Sequence, residues 1–175
     1  VVPDDLVTTT AELSRVDGIV PLLKDNAKLK VVKSMDPAPA AAEFAAAHGI
    51  SHETSFRAAL RDPMVHAVVL CTPHTQHTEQ IIAAANARKH VFCEKPLSLS
   101  RADVLRAIQA CRDNEVALAV GHEKRFEPPI QEVFRLAKAG ELGTLLQIEA
   151  NFSQDKFLDL APDNWRLSAM EAPAG

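Results

Sequence analysis

A chain of 175 residues that is 47% apolar and 24% charged has the balance of a folded globular protein, with room for one domain or slightly more. Its net charge of −4 gives no electrostatic reason to expect nucleic acid or an anionic membrane as partner, and no run is long enough for a bilayer span or ordered like a signal peptide. Three cysteines, Cys71, Cys93 and Cys111, are too few for a disulfide framework and point to a reducing, cytoplasmic setting.

The first residues make a poor strand, because Asp4 and Asp5 follow Pro3. Lys28 to Met35 is a short β-branched stretch closed by Asp36-Pro37. Ala38 to Ala47 is strongly helix-forming, with Pro37 in its first turn and Gly49 as a stop. Ser55 to Arg61 predicts a short helix ended by Asp62-Pro63. His66 to Cys71 is a continuous apolar run, as a strand buried on both faces requires. Thr75 to Ala87 predicts a helix and His90 to Cys93 another strand. Ser100 to Asn114 predicts a helix capped by Ser100, with Asp103 completing a box-like start. Val116 to Val120 again reads as a buried strand.

Strands alternating with helices of this length imply a doubly wound parallel sheet, an α/β architecture of the Rossmann type. Near Gly121 the pattern changes. Pro128 to Ala139 is an amphipathic helix ended by Gly140, and Thr144 to Ser153 alternates like a half-exposed antiparallel strand. The expected organisation is therefore one parallel α/β domain over 1–121 and a second, different unit over 122–175.

Ligands of open α/β sheets bind beyond the C-terminal strand ends. Those ends carry Asp36, Cys71-Thr72-Pro73, Cys93-Glu94-Lys95-Pro96 and Gly121-His122. Asp36 is placed to hydrogen-bond ribose hydroxyls, which favours NAD over NADP; the simpler alternative is a cap on the next helix. Thr72-Pro73 turns a strand into a helix N-terminus, whose free N–H groups suit phosphate or ribose oxygens. A zinc set of Cys71, His74, His77 and Cys93 is conceivable, but both cysteines close apolar strands, where free cysteine packs as a small hydrophobe; no metal is expected.

Thr72-Pro73-His74-Thr75-Gln76-His77, Cys93-Glu94-Lys95-Pro96-Leu97, Gly121-His122-Glu123-Lys124-Arg125-Phe126 and Gly140-Glu141-Leu142-Gly143 together resemble the Gfo/Idh/MocA oxidoreductases, in order and spacing across 28–153. That family includes glucose–fructose oxidoreductase and inositol dehydrogenase. The resemblance implies a dinucleotide-binding Rossmann domain over 1–121, then over 122–175 the start of an α+β domain with an open, mostly antiparallel sheet. It implies NAD(P)-dependent hydride transfer at a hydroxyl-bearing carbon of a sugar or cyclitol, and a homo-oligomer when the second domain is whole. It implies that Lys95 is catalytic, facing nicotinamide and substrate hydroxyl, and that Glu94 and Pro96 set its direction through a peptide that is often cis. It further implies cofactor contacts from Asp36, Thr72, Pro73, His77 and the Trp165-Arg166 pair. His122 and Arg125 fall near the cofactor and the domain interface, and His74 reads as a surface histidine.

Two departures are visible. Aligning Ser14-Arg15-Val16 with the family's Gly-Arg-Val puts Thr9, Ala11 and Ser14 where three loop glycines should stand, and a β-branched residue resists that turn. No histidine follows His122, so the family's Asp-x-x-x-His motif is missing before Gly175. The chain therefore reads as truncated. The competing expectation to an enzyme is a truncated or degenerate relative serving as a nucleotide-binding or interaction domain.

Overall fold

The computed structural model describes residues 5–10, 30–36, 40–151, 153, 155, 157–162 and 164–172. The chain divides into two compact units, 1–121 and 122–175. In the first, strands β1 (Asp5–Thr10), β2 (Lys30–Met35), β3 (Ser51–Glu53), β4 (Ala67–Cys71), β5 (His90–Cys93) and β6 (Leu118–Val120) form one sheet in the order β3-β2-β1-β4-β5-β6. Every neighbouring pair is parallel. Helices α1 (Ala40–His48), α2 (Phe56–Arg61), α3 (His77–Asn86) and α4 (Arg101–Asp113) connect the strands.

The core follows from the apolar runs. β4 lies at the centre and buries Val68 and Leu70 with Val65, Ile81, Val91 and Cys93, while Ala67 and Val69 pack with Cys71 in a second cluster. A strand covered on both faces must be apolar at every position, which is why AVVLC shows no alternation. Leu70 pairs with Cys93 in register. Successive side chains alternate between faces, so Cys71 and Cys93 belong to opposite faces and opposite clusters. The sheet thus separates the two thiols of the conceivable zinc set. Burial, then the neighbouring Cys71 and Glu94, push the Cys93 thiol up to about 12, as suits an inert core residue.

Three features of the sheet go beyond the sequence reading. A strand does form at Asp5–Thr10, pinned between β2 and β4, so its poor sequence is overruled by two ladders. Thr9, aligned to the first loop glycine, lies inside that strand opposite Met35 and Leu70; Ala11 and Ser14 fall outside the described residues. The edge strand β3 has no apolar signal at all; Ser-His-Glu is held by its ladder to β2 and by Ser51 Oγ, which donates to Val32 O at 2.9 Å.

Four helices end alike. At Gly49, Arg88, Glu115 and Gly140 the backbone turns to positive φ, and the next residue's N–H reaches back to a carbonyl of the last turn. Two of these positions carry Cβ atoms, with φ of 57° at Arg88 and 58° at Glu115. Arg88→Gly and Glu115→Gly are each expected to raise unfolding stability by about 0.5–1 kcal/mol, the left-handed penalty less the added freedom of the unfolded chain. Urea titration measures it, and a loss of stability contradicts it. Ser100 caps α4 as its sequence predicts, accepting from Asp103 N–H at 3.1 Å.

One buried-edge ion pair ties β2 to the turn after α2. Lys33 Nζ lies 2.7 Å from Asp62 Oδ2, and Lys89 Nζ donates to Asp62 O at 3.0 Å. The Lys33 hydrogen bond, then the Met64 N–H, hold the Asp62 carboxyl below the usual carboxylate range. A depressed folded-state value stabilises the fold above the ordinary carboxylate range and is lost as pH falls through the folded value. Asp62→Asn is therefore expected to destabilise at neutral pH, with the gap to wild type closing as acid titrates Asp62. A gap independent of pH in denaturant melts contradicts this.

In the second unit α5 spans Pro128–Lys138, and its Ile130, Val133 and Phe134 are exposed. The strand expected over Thr144–Ser153 is absent among the described residues there; Leu146 and Ile148 are 91% and 82% exposed. A strand exists only against a hydrogen-bonded neighbour, and the described residues of this unit supply none.

Candidate functional site

The strand order reverses between β1 and β4, so the C-terminal ends of β2, β1, β4 and β5 border the crevice where open α/β sheets take ligands. Asp36 follows β2 directly, is 8% exposed, and its N–H donates to Glu53 O at 3.2 Å. β3 therefore fixes the backbone beneath this carboxylate.

Beyond β4, Thr72 is buried and Pro73 opens a short 3-10 turn over His74–Gln76 that runs into α3. Thr72 Oγ1 donates to Gln80 Oε1 at 2.6 Å, and Gln80 Nε2 donates to Gln76 Oε1 at 3.1 Å. His77 is fully buried; its Nδ1 is 2.7 Å from Pro96 O and its Nε2 is 2.9 Å from Thr72 O. The His74 ring lies 5.9 Å from it, centroid to centroid.

Beyond β5, Glu94 N–H donates to Leu70 O at 2.9 Å, so the chain leaves the sheet only after one further ladder bond. Lys95 N–H donates to Glu94 Oε2 at 3.2 Å, and the Lys95-Pro96 peptide is cis. Lys95 itself is exposed. Thr78 Oγ1 donates to Ser98 Oγ at 2.8 Å. Gly121 closes the other side: its N–H donates to Cys93 O at 2.8 Å, and a Cβ there would meet the Phe92 ring at 3.3 Å and Glu94 Cδ at 3.4 Å. That close approach explains a glycine at the end of β6.

The sheet thus brings Thr72, Pro73, His77, Glu94, Lys95 and Pro96 into one cluster across β4 and β5, with Asp36 two strands away from β4. The remaining candidates belong to the second unit. Arg125 has its guanidinium 5.5 Å from the Phe126 ring centroid, and His122 is exposed. Trp165 and Arg166 form a short 3-10 turn capped by Asn164, with the guanidinium 4.4 Å from the indole centroid; burial lowers the Arg166 guanidinium below its ordinary value. Gln80, Thr78 and Ser98 were not singled out by the sequence. Their one signal is position: Gln76 and Gln80 stand one helical turn apart beside His77.

Among the described residues, no group of three or more His, Cys, Asp or Glu is arranged to hold a metal ion. Among them, too, no helix is long and apolar enough to cross a membrane.

Residues 17–122, more than half of the chain, match the profile of the oxidoreductase family with an NAD-binding Rossmann fold. The chain belongs to the Gfo/Idh/MocA oxidoreductase family. Myo-inositol 2-dehydrogenase of Thermotoga maritima is 42% identical over 84 residues, which is 48% of this chain and 25% of that protein. Levoglucosan dehydrogenase of Pseudarthrobacter phenanthrenivorans is 32% identical over 148 residues, 83% of this chain and 38% of that protein. The solved structure of the WlbA dehydrogenase from Bordetella pertussis, in complex with NADH and UDP-GlcNAcA, superposes with a TM-score of 0.73 at 26% identity, covering 81% of this chain and 41% of that one. The chain therefore spans well under half the length of these relatives. The parallel sheet with helices between its strands is the family's Rossmann architecture.

Proposed function

We propose that this chain is the dinucleotide-binding part, residues 1–121, of a nicotinamide-dependent oxidoreductase acting on a hydroxyl-bearing carbon of a sugar or cyclitol, with 122–175 beginning the substrate and oligomerisation domain. The observation that carries it is the Glu94-Lys95-Pro96 loop at the end of β5, tied to the Thr72-Pro73 turn of β4 through His77. Two of the relatives named above are, by their names, dehydrogenases of myo-inositol and of levoglucosan.

The residues present suit such a cofactor at the ribose and nicotinamide ends. Asp36 is a carboxylate at the end of β2 on a fixed backbone, placed for ribose hydroxyls and unfavourable to a 2′-phosphate, so NAD is preferred over NADP. Thr72, Pro73, Pro96 and Trp165-Arg166 complete the proposed contacts, with His122 and Arg125 beside the substrate or the interface. When bound, the nicotinamide supplies the two-electron chemistry. Lys95 Nζ would donate a hydrogen bond to the substrate oxygen and stabilise the negative charge that develops there as the hydroxyl proton passes to solvent, ahead of the breaking of the C–H bond. Glu94, through the Lys95 N–H, sets the direction of the loop.

A fluorescence titration of the purified chain with NADH tests this. Saturable binding is expected, tighter for NADH than for NADPH; no saturation at about millimolar cofactor, far above the usual range of enzyme ligands, rejects the reading.

A further inference from the structure

In the first turn of α3, His77 and Thr78 are buried and reach two loops at once. His77 is completely buried, and each of its ring nitrogens lies within 3 Å of a backbone carbonyl: Pro96 O at 2.7 Å and Thr72 O at 2.9 Å. A carbonyl only accepts, so a ring N–H is the donor wherever such a contact is a hydrogen bond. Next to it Thr78, 6% exposed, donates to Ser98 Oγ at 2.8 Å. One helical turn on, Gln80 accepts from Thr72 Oγ1. Three side chains of one helix, His77, Thr78 and Gln80, are thus spent on the loops after β4 and β5, at residues 72, 96 and 98.

An imidazole enclosed in this way has no polar edge left for a cofactor. Its two partners sit in different loops, one beside the Thr72-Pro73 turn and one directly after Lys95. The resemblance implies a cofactor contact for His77, but the geometry gives it another task. We propose that His77 is a positioning residue, which with Thr78 clamps the Glu94–Ser98 loop to the Thr72-Pro73 turn and so fixes the point from which Lys95 projects. Its effect on chemistry rests on the role of Lys95 proposed above; the clamp itself does not.

The test is amide hydrogen–deuterium exchange on the whole chain, paired with NADH titration, for wild type, His77→Phe, His77→Gln, Thr78→Val and Lys95→Ala. His77→Phe keeps a ring of similar size and removes both ring nitrogens. It is expected to raise exchange at residues 95–98 and at Gln76 at least tenfold, with the β4 and β5 ladder amides, Glu94 included, unchanged, and to weaken NADH binding about tenfold. His77→Gln, whose amide nitrogen reaches one carbonyl, recovers part of both effects. Thr78→Val loosens 96–98 alone, and Lys95→Ala leaves exchange as in wild type. Unchanged loop exchange in a folded His77→Phe protein overturns the proposal. So does a uniform rise through α3, β4 and β5, which a plain core role would give. If His77→Phe does not fold, His77→Gln and Thr78→Val decide by the same criterion. If wild type binds no NADH, the oxidoreductase reading fails while the exchange comparison still judges the clamp.

Discussion

Lys95→Ala is expected to lower kcat by about 10²–10³-fold, the loss typical of removing one hydrogen-bond donor from a developing oxyanion. KM for the polyol should change far less, because the interaction strengthens as charge accumulates on the oxygen. Lys95 is exposed at the end of β5, and its N–H is held by the Glu94 carboxylate. Lys95→Arg should recover little, since a guanidinium fork places its donors differently from a compact ammonium. Steady-state NADH formation measures both variants. Turnover retained by Lys95→Ala rejects the role outright.

The second large effect concerns cofactor choice. Asp36→Ser is expected to shift the NADH-to-NADPH affinity ratio toward NADPH by about two orders of magnitude, or roughly 3 kcal/mol. A carboxylate held beside a ribose repels a 2′-phosphate, and serine removes the charge while leaving a hydroxyl to hydrogen-bond. The backbone should not move, because the Asp36 N–H is held by Glu53 O of β3. Paired titrations of wild type and variant give the ratio; an unchanged ratio means the carboxylate does not face the ribose, and its role is confined to the start of α1.

Much of the fold was legible along the chain. The apolar run at 67–71 announced a strand because a doubly covered sheet tolerates nothing else there. Ser100 announced the start of α4 because a hydroxyl at that position accepts an otherwise unpaired N–H. The strand β3 was invisible: its three polar residues hold their place through main-chain bonds to β2, and main-chain bonds leave no mark on composition. The same holds for Asp5–Thr10, whose strand character comes from its two neighbours.

The candidate site divides likewise. Asp36, Thr72-Pro73 and Glu94-Lys95-Pro96 could be named from sequence because strand ends are predictable and their polar residues interrupt apolar runs. The identity of those residues, the alternation of strands and helices and the family resemblance are all properties of order along the chain. Which groups hold one another is not. That His77 lies behind the site with both nitrogens against carbonyls, that Thr78 reaches Ser98, and that Gly121 must lack a side chain beside Phe92 and Glu94 were decided only when β4, β5 and β6 came side by side. Pairing in a parallel sheet joins residues some twenty or more positions apart, and no local pattern encodes such a distance. The sequence by itself determined what chemistry stands at the strand ends; the tertiary structure decided which of those groups hold one another in place.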